Sequence, residues 1–408
     1  MISKRKAAIG AIILIIITGI TTFAFSNMIQ ITIGDKVFVT KEQRDEWVEI
    51  NNKYNKLMAL EDIIEENFLY EVNEQTLLEG ALKGMFQALD DPYSVYMTKD
   101  EFADFMEHTR GTYSGIGIIV VPGEDNLITV VSPIEGTPGE RAGIKTGDKI
   151  VKVNGKEFTA DRMDEAVKVM KGKPGTKVEI TILRKNKNGD NKFLDLEITR
   201  EEIRQKTVKA KMLEGNIGYI RLVAFDEKTY GEFKNELDSL EKKNMKGIII
   251  DLRNNPGGLL DQCQKITDEL MGEGIIVYTE TKKGEREEYK SDKEKIDVPL
   301  VLLVNGGSAS ASEILAGAIK DTNSGVLIGT KTFGKGIVQR IIPLKDGSGF
   351  KLTVSEYFTP SGVNIHGVGI EPDIVIELPD DVMNYGTEYL DEDIQLQKAI
   401  EVIKSKIK

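Results

Sequence analysis

Apolar residues fall along this chain in four successive rhythms, and each predicts a different kind of element. After Lys4, Arg5 and Lys6 comes a run from Ala7 to Phe25 that holds no charged residue in 19 positions, just enough for a helix to span a bilayer. From Thr40 to about Tyr70, Trp47, Ile50, Tyr54, Leu57, Leu60 and Ile64 recur at steps of three and four, marking one face of a polar helix. The stripe suits either packing on its own domain or contact with a second copy, and it is too short to establish a coiled coil. A second helix, Gln75 to Leu89, stops at the turn signal Asp90-Asp91-Pro92.

Between Gly111 and Arg200 the rhythm shortens to β segments with turn punctuation. Ser114–Val121 and Leu127–Val131 read as strands, Asp164–Met170 as a short helix, Val178–Leu183 as a strand and Lys185–Lys192 as a charged hairpin tip. From Ile217 onward, apolar strands at Ile217–Val223, Gly247–Leu252, Pro299–Val304 and Gly325–Gly329 alternate with helices at Tyr230–Lys242, Leu259–Leu270 and Ser312–Lys320. That alternation predicts βαβ units and a mostly parallel sheet covered on both faces. Gly336–Pro343 and Lys351–Phe358 read as an antiparallel pair joined across Asp346-Gly347, and the charge-rich Glu280–Asp297 as a solvated excursion. The expected domains are an anchor at 1–28, a helical region at 40–105, a β-rich insert at 106–200, a catalytic α/β domain at 201–380 and a helical tail at 381–408.

Composition narrows the classes. A chain of 408 residues predicts two or three domains. Its 54 basic and 66 acidic side chains leave a net charge of −12, which argues against nucleic acid as the main partner. A single cysteine, Cys263, excludes an internal disulfide and reads as a small buried hydrophobe on a helix. The basic residues before the apolar run should stay cytoplasmic, placing everything after Ser26 outside as the exposed part of an uncleaved single-pass anchor. The alternative is a cleaved signal peptide with Ala24 and Ser26 flanking the cut. Under both readings the folded part is extracytoplasmic.

The chain holds only two histidines, His108 and His366, and neither sits in a recognisable catalytic context. A serine activated by a neutral lysine needs no histidine. Ser308, Ser310 and Ser312 follow a strand and open an apolar helix, where first-turn amides such as that of Ala311 and the helix dipole would favour a developing oxyanion. Ser310 with Glu313 also fits an S-x-x-E capping box, so these residues alone leave the choice of serine open. Lys335 lies between Gly334 and Gly336 on the way into a strand. To act as a base it must be neutral, which requires burial to lower its pKa from about 10.4. Asp251–Gly258 (DLRNNPGG) offers Gly257 and Gly258 at a strand's carboxyl end, either as an oxyanion hole or as a tight turn that needs glycine for positive φ. In the β-rich insert, Gly115, Ile116, Gly117 and Ile118 would form a nest of amides for a peptide carboxylate, with Val167 on the facing helix and the peptide held by strand addition.

Taken in order, the motifs LDDPYSVYM (89–97), GIKTGDKIVKVNG (143–155), DLRNNPGG (251–258), NGGSASASEILAGA (305–318), GTKTFGKGIVQ (329–339) and YFTPSGVNIHGVGIEPDI (357–374) resemble the carboxyl-terminal processing, or tail-specific, serine proteases with an inserted PDZ domain. The resemblance covers roughly Leu60 to Glu377. It implies a crotonase/Clp-protease-like, mostly parallel α/β core. It also implies Ser310 as nucleophile, Lys335 as general base, Gln339 orienting the lysine, Asp321 in support, and Gly257, Gly258 and Ala311 as oxyanion-hole candidates. No metal or cofactor is implied. The implied partners are proteins with exposed apolar C-terminal tails and a second copy of the chain. A silent PDZ adaptor and a crotonase-like acyl-handling enzyme are the competing classes; a trypsin-like protease is excluded by the missing nucleophile motif and histidine partner.

Overall fold

The computed structural model describes residues 4–26, 31–33, 36–38, 40–185, 191–204, 206–379 and 385–407. The chain divides into two units, Met1–Met85 and Phe86–Lys408. The expected hairpin tip within Lys185–Lys192 falls largely outside the described residues.

The first unit is mostly helical, with one short antiparallel pair, Ile31–Ile33 with Lys36–Phe38. Helix α1 (Lys4–Ser26) contains a 19-residue stretch, Lys4–Thr22, long and apolar enough to cross a membrane. Helix α2 (Lys41–Asn67) starts at a reciprocal cap, in which Gln43 N donates to Thr40 Oγ1 and Thr40 N donates to Gln43 Oε1. Its apolar stripe is real but uncovered. Trp47 is 65% exposed, and α2 buries none of its residues. Helix α3 (Glu74–Gln87) follows.

In the second unit, a short strand β1 (Val95–Met97) and helix α4 (Lys99–Arg110) lead into the β-rich insert. The insert contains β2 (Thr112–Gly115), β3 (Ile118–Pro122), β4 (Ile128–Pro133), β5 (Lys149–Val153), helix α5 (Met163–Met170), β6 (Lys177–Lys185), β7 (Asn191–Thr199) and β8 (Glu201–Arg204). The expected strand Ser114–Val121 is split in two, because Gly117 turns at φ 74°. Its carbonyl accepts from Ile134 N and Thr137 Oγ1, and a Cβ there would lie 2.3 Å from that of Thr137. As a result β2 pairs with β8, while β3 forms the outer edge of the sheet β7-β6-β5-β4-β3. Ile128, Val130, Ile150, Ile180 and Ile182 fill its core.

The main sheet runs β9-β10-β11-β14-β15-β18, made by Val208–Leu213, Ile217–Leu222, Gly247–Asp251, Leu300–Val304, Val326–Gly329 and Ile374–Val375. Only the β9–β10 pair is antiparallel, so the mostly parallel expectation holds. Helices α6 (Thr229–Lys242), α7 (Leu260–Leu270) and α8 (Ala311–Asp321) alternate with these strands. Ile248, Ile250 and Leu302 join the large core that holds apolar residues of all three helices, while Ile249, Val301 and Leu303 face the other side. There they meet Leu396, Ala399 and Ile403 of α9 (Ile394–Lys406). The helix in the segment expected as a tail therefore covers the sheet's second face, with Leu396, Ala399 and Ile403 buried.

A second sheet orders β13-β12-β17-β16, from Arg286–Ser291, Gly274–Thr281, Gly349–Phe358 and Ile337–Pro343, with β1 pairing β17. The β16–β17 hairpin closes at the anticipated Asp346-Gly347 turn. Glu280–Asp297 departs from expectation. Its first half is a β-hairpin, Glu280 pairing with Arg286, whose charges lie on an edge strand where they discourage further pairing.

Candidate active site

Strand β11 ends at Asp251, and the turn that follows brings Pro256, Gly257 and Gly258 to a cleft. Asp251 and Arg253 are fully buried as an ion pair of 2.7 Å, and Arg253 also reaches Asp393 at 2.8 Å and Gln395 at 2.9 Å. Tyr219 Oη donates to Asp251 at 2.7 Å, and burial together with that carboxylate drives its pKa up. Asn255 then stitches the turn. Its Oδ1 accepts from Gly257 N at 2.9 Å, and its carbonyl accepts from Ala309 N and from Ser312 Oγ.

The three serines part company here. Ser308 Oγ donates to Leu252 O at 2.8 Å and Ser312 Oγ to Asn255 O at 2.9 Å, so both buried hydroxyls tie the serine loop to the DLRNNPGG turn. Ser310 instead lines the cleft, at φ 54° and ψ −114°. A non-glycine residue held in that region costs about 1–3 kcal/mol. Its neighbours hold it there. Ser310 N donates to Glu313 Oε2 at 2.9 Å and its carbonyl accepts from Tyr357 Oη at 3.1 Å.

The cleft has a volume of about 470 Å³ and is shared by Ser310, Lys335, Gln339, Lys351 and Tyr357. Lys335 is half-buried with Nζ 4.5 Å from the Tyr93 ring centroid. Burial lowers its pKa and the nearby positive charge of Lys351 lowers it further, against the opposing pull of Asp91 and Glu313. Lys351, 5.6 Å from the Phe105 ring, is likewise lowered by burial.

Glycine is obligatory at two positions of the wall. A Cβ at Gly257 would lie 2.8 Å from Ser310 Cβ and 2.9 Å from Ala311 N, and one at Gly258 would lie 2.1 Å from Phe225 O. The Gly257 amide is occupied by Asn255. Gly258 and Ala311 also line the cleft, and Ala311 is the first residue of α8, where no helical turn supplies its amide with an acceptor.

Gln339 reaches the cleft, but its Nε2 donates to Ile337 O at 3.3 Å, on its own strand. Asp321 stands at the other end of α8, about 16 Å along the axis by helical rise, and accepts from Ser361 N at 2.9 Å. Cys263 is buried on α7, where loss of solvent pushes its thiol up to about 12, and it donates to Ala311 O at 3.0 Å. It packs beneath the serine loop, as a small hydrophobe should.

A second cavity, about 270 Å³, opens between β3 and α5 and is lined by Gly115, Ile116, Ile118 and Val167 among others. Gly117 is not among its lining residues; it props the loop from behind through Thr137. At its rim Lys171 Nζ pairs with Glu107 at 2.7 Å.

Comparison with known proteins matches three regions of the chain. Residues 216–376 match peptidase family S41, 129–184 a PDZ domain, and 15–101 the N-terminal domain of the activating protease CtpB. A carboxy-terminal-processing protease of Bartonella bacilliformis is 42% identical over 339 residues, covering 80% of this chain and 76% of that protein. The carboxy-terminal processing protease CtpA of Bacillus subtilis is 42% identical over 332 residues, covering 81% and 70%. The chain belongs to the carboxy-terminal processing proteases of peptidase family S41. It is a serine peptidase with a PDZ domain. Among solved structures, a putative S41 protease from Bacteroides fragilis shares the fold with a TM-score of 0.53 at 14% identity, over 85% of this chain and 96% of that one.

The S41 match ends before α9, so Asp393, which holds the buried Arg253, lies outside the region that matches the peptidase family. Nothing in the sequence singled out Lys351, which lies in no motif, nor Tyr93 and Tyr357, which sit inside the motifs at 89–97 and 357–374 without any chemistry of their own to mark them. Glu313 was visible, but only as a helix cap.

Proposed function

We propose that this S41 peptidase cleaves by acyl transfer through a Ser310–Lys335 pair, after its PDZ groove has captured an apolar C-terminal tail. The observation that carries the reading is the shared cleft, where a strained serine at the head of α8 meets a half-buried lysine whose pKa is lowered. Neutral Lys335 takes the hydroxyl proton as Ser310 Oγ attacks the scissile carbonyl. The amides of Gly258 and Ala311, aided by the dipole of α8, receive the oxyanion. Lys335 then passes the proton to the leaving amine, and water releases the acyl group by the reverse route. Gln339 orients the lysine once its side chain swings off Ile337 O, and Asp321 supports the site indirectly by fixing the Ser361 turn.

Tail capture suits the groove. The outer edge of β3 is open, so a peptide can add as a strand, its carboxylate at the Gly115–Ile118 loop and its last side chain near Val167. Helix α4 connects the two sites. Phe105 and Thr109, one turn apart, line the catalytic cleft, whereas Glu107 lines the groove. We read the six-stranded core as crotonase-like, α1 as a membrane anchor that leaves the peptidase extracytoplasmic, and the uncovered α2 stripe as the contact of a homodimer.

The test is Lys335→Arg, assayed on an unstructured protein with an apolar tail. Arginine keeps the charge but cannot lose its proton at accessible pH, so the variant should be as inactive as Lys335→Ala. Substantial cleavage by it would overturn the Ser–Lys reading.

A further inference from the structure

Among the described residues, four donors converge on one buried carboxylate that the mechanism above does not use. Glu313 is fully buried on the first turn of α8. Its Oε2 accepts from Ser310 N at 2.9 Å and from Lys335 N at 2.8 Å. Its Oε1 accepts from Gly334 N at 2.7 Å and from Thr332 Oγ1 at 2.6 Å, and Thr332 Oγ1 in turn accepts from Ile370 N at 2.7 Å. A helix cap needs only the first of these bonds. The other three run to a separate loop that no helix requires, the one carrying the lysine.

We propose that Glu313 is the positioning residue that sets the distance between the nucleophile and the base, because a single carboxylate oxygen holds the backbone amides of both Ser310 and Lys335. The inference rests on the Ser–Lys reading. Without the carboxylate, the serine loop and the Thr332–Lys335 loop touch only through weaker contacts, such as Phe333 N to Ser308 O at 3.1 Å. Carboxylate geometry is specific here. All four partners are donors and an ionised carboxylate is acceptor-only, whereas glutamine must turn an NH2 group toward two of those donors. Aspartate is too short to reach both loops.

The test is Glu313→Gln, with kcat, KM and the pH dependence of kcat measured on the full-length protein. A misplacement of about 1 Å at a reacting pair costs roughly a hundredfold in rate. We therefore expect kcat to fall by about that factor while KM for an apolar-tailed peptide changes less than about threefold. A second readout separates positioning from general loosening. The charged and titratable groups facing Lys335 are Lys351, Asp91, Tyr93 and Glu313, and Glu313 favours the ammonium. Removing its charge should shift the midpoint of the pH–rate profile downward. An unmoved midpoint or a kcat within threefold of wild type overturns the proposal. Should Glu313→Gln fail to fold, Thr332→Val removes one donor without changing shape, and should lower kcat about tenfold, with Thr332→Ser restoring it. A fully active Thr332→Val would then overturn the proposal. Lys335→Arg keeps the two ideas apart. If it is active the Ser–Lys reading falls, whereas if it is dead and Glu313→Gln is unimpaired only the role of Glu313 falls.

Discussion

The catalytic cleft and the PDZ groove are both crevices with glycine-bearing loops beside a helix, and they are built on opposite terms. Behind the cleft the buried polar groups already have partners. Ser308, Ser312, Asn255 and Glu313 are buried, and each is bonded to a neighbouring loop. In the groove the edge of β3 is left unpaired, and Ile119 and Val121 stand 47% and 41% exposed. The first site holds strain because its surroundings over-determine it. The second stays receptive because bonds have been left for the ligand to make. On the proposed function, chemistry and capture ask opposite things of a backbone, which suits their placement in separate domains.

The largest effect that can break this comparison is at the nucleophile and base. Ser310→Ala and Lys335→Arg should each reduce peptide cleavage to background, a loss of at least about a thousandfold, with circular dichroism and Tm close to wild type. Wild-type kcat should rise with pH through the lysine's lowered pKa, since only the neutral amine accepts a proton.

Next comes the oxyanion wall. Gly258→Ala drives a methyl group against Phe225 O, and the displaced amide should cost roughly a hundredfold or more in kcat. If KM changes instead of kcat, the wall serves binding and the contrast between the two sites fails.

In the groove the effect should be smaller and of the other kind. Val167→Lys should raise KM for an apolar-tailed substrate by about tenfold. It should leave kcat for a short untailed peptide unchanged, as measured by steady-state kinetics. Equal loss on both substrates would mean that the groove does not read tails.

The subtlest prediction concerns strain and buried charge, both read as stability. Ser310→Gly removes the positive-φ cost, so its Tm should match or exceed that of Ser310→Ala despite glycine's greater unfolded freedom. Lys335→Met should be inactive yet more stable than wild type at neutral pH. The sign follows from linkage. Lys335 has a lower pKa folded than unfolded, so the unfolded chain binds the extra proton and wild-type stability rises with pH across that window. The advantage of Lys335→Met should therefore shrink toward pH 10.

Much of this was legible in the chain itself. The βαβ alternation and the Asp346-Gly347 turn follow from local patterns, because period and turn chemistry are properties of short stretches. What escaped were long-range closures. Nothing near Glu313 announces that Thr332, Gly334 and Lys335 fold back onto it, since a cap motif satisfies the same letters. The packing of α9 was hidden for the same reason: nothing within 381–408 shows that Ile249 and Leu303 need its cover. Nor could spacing show that Gly117 breaks a strand, because only the side chain of Thr137 makes the break obligatory.

The ion pair beneath the cleft also has a consequence in time. Arg253 depends on a carboxylate 140 residues later in the chain, on the element that closes the far side of the sheet. At a synthesis rate of about 5–20 residues per second, Asp393 follows Arg253 by on the order of ten seconds. Until it arrives, the guanidinium beneath the turn has one of its two carboxylate partners, and one face of the sheet lacks the cover of α9. A newborn chain thus carries the DLRNNPGG turn before the carboxylate that completes its buried ion pair.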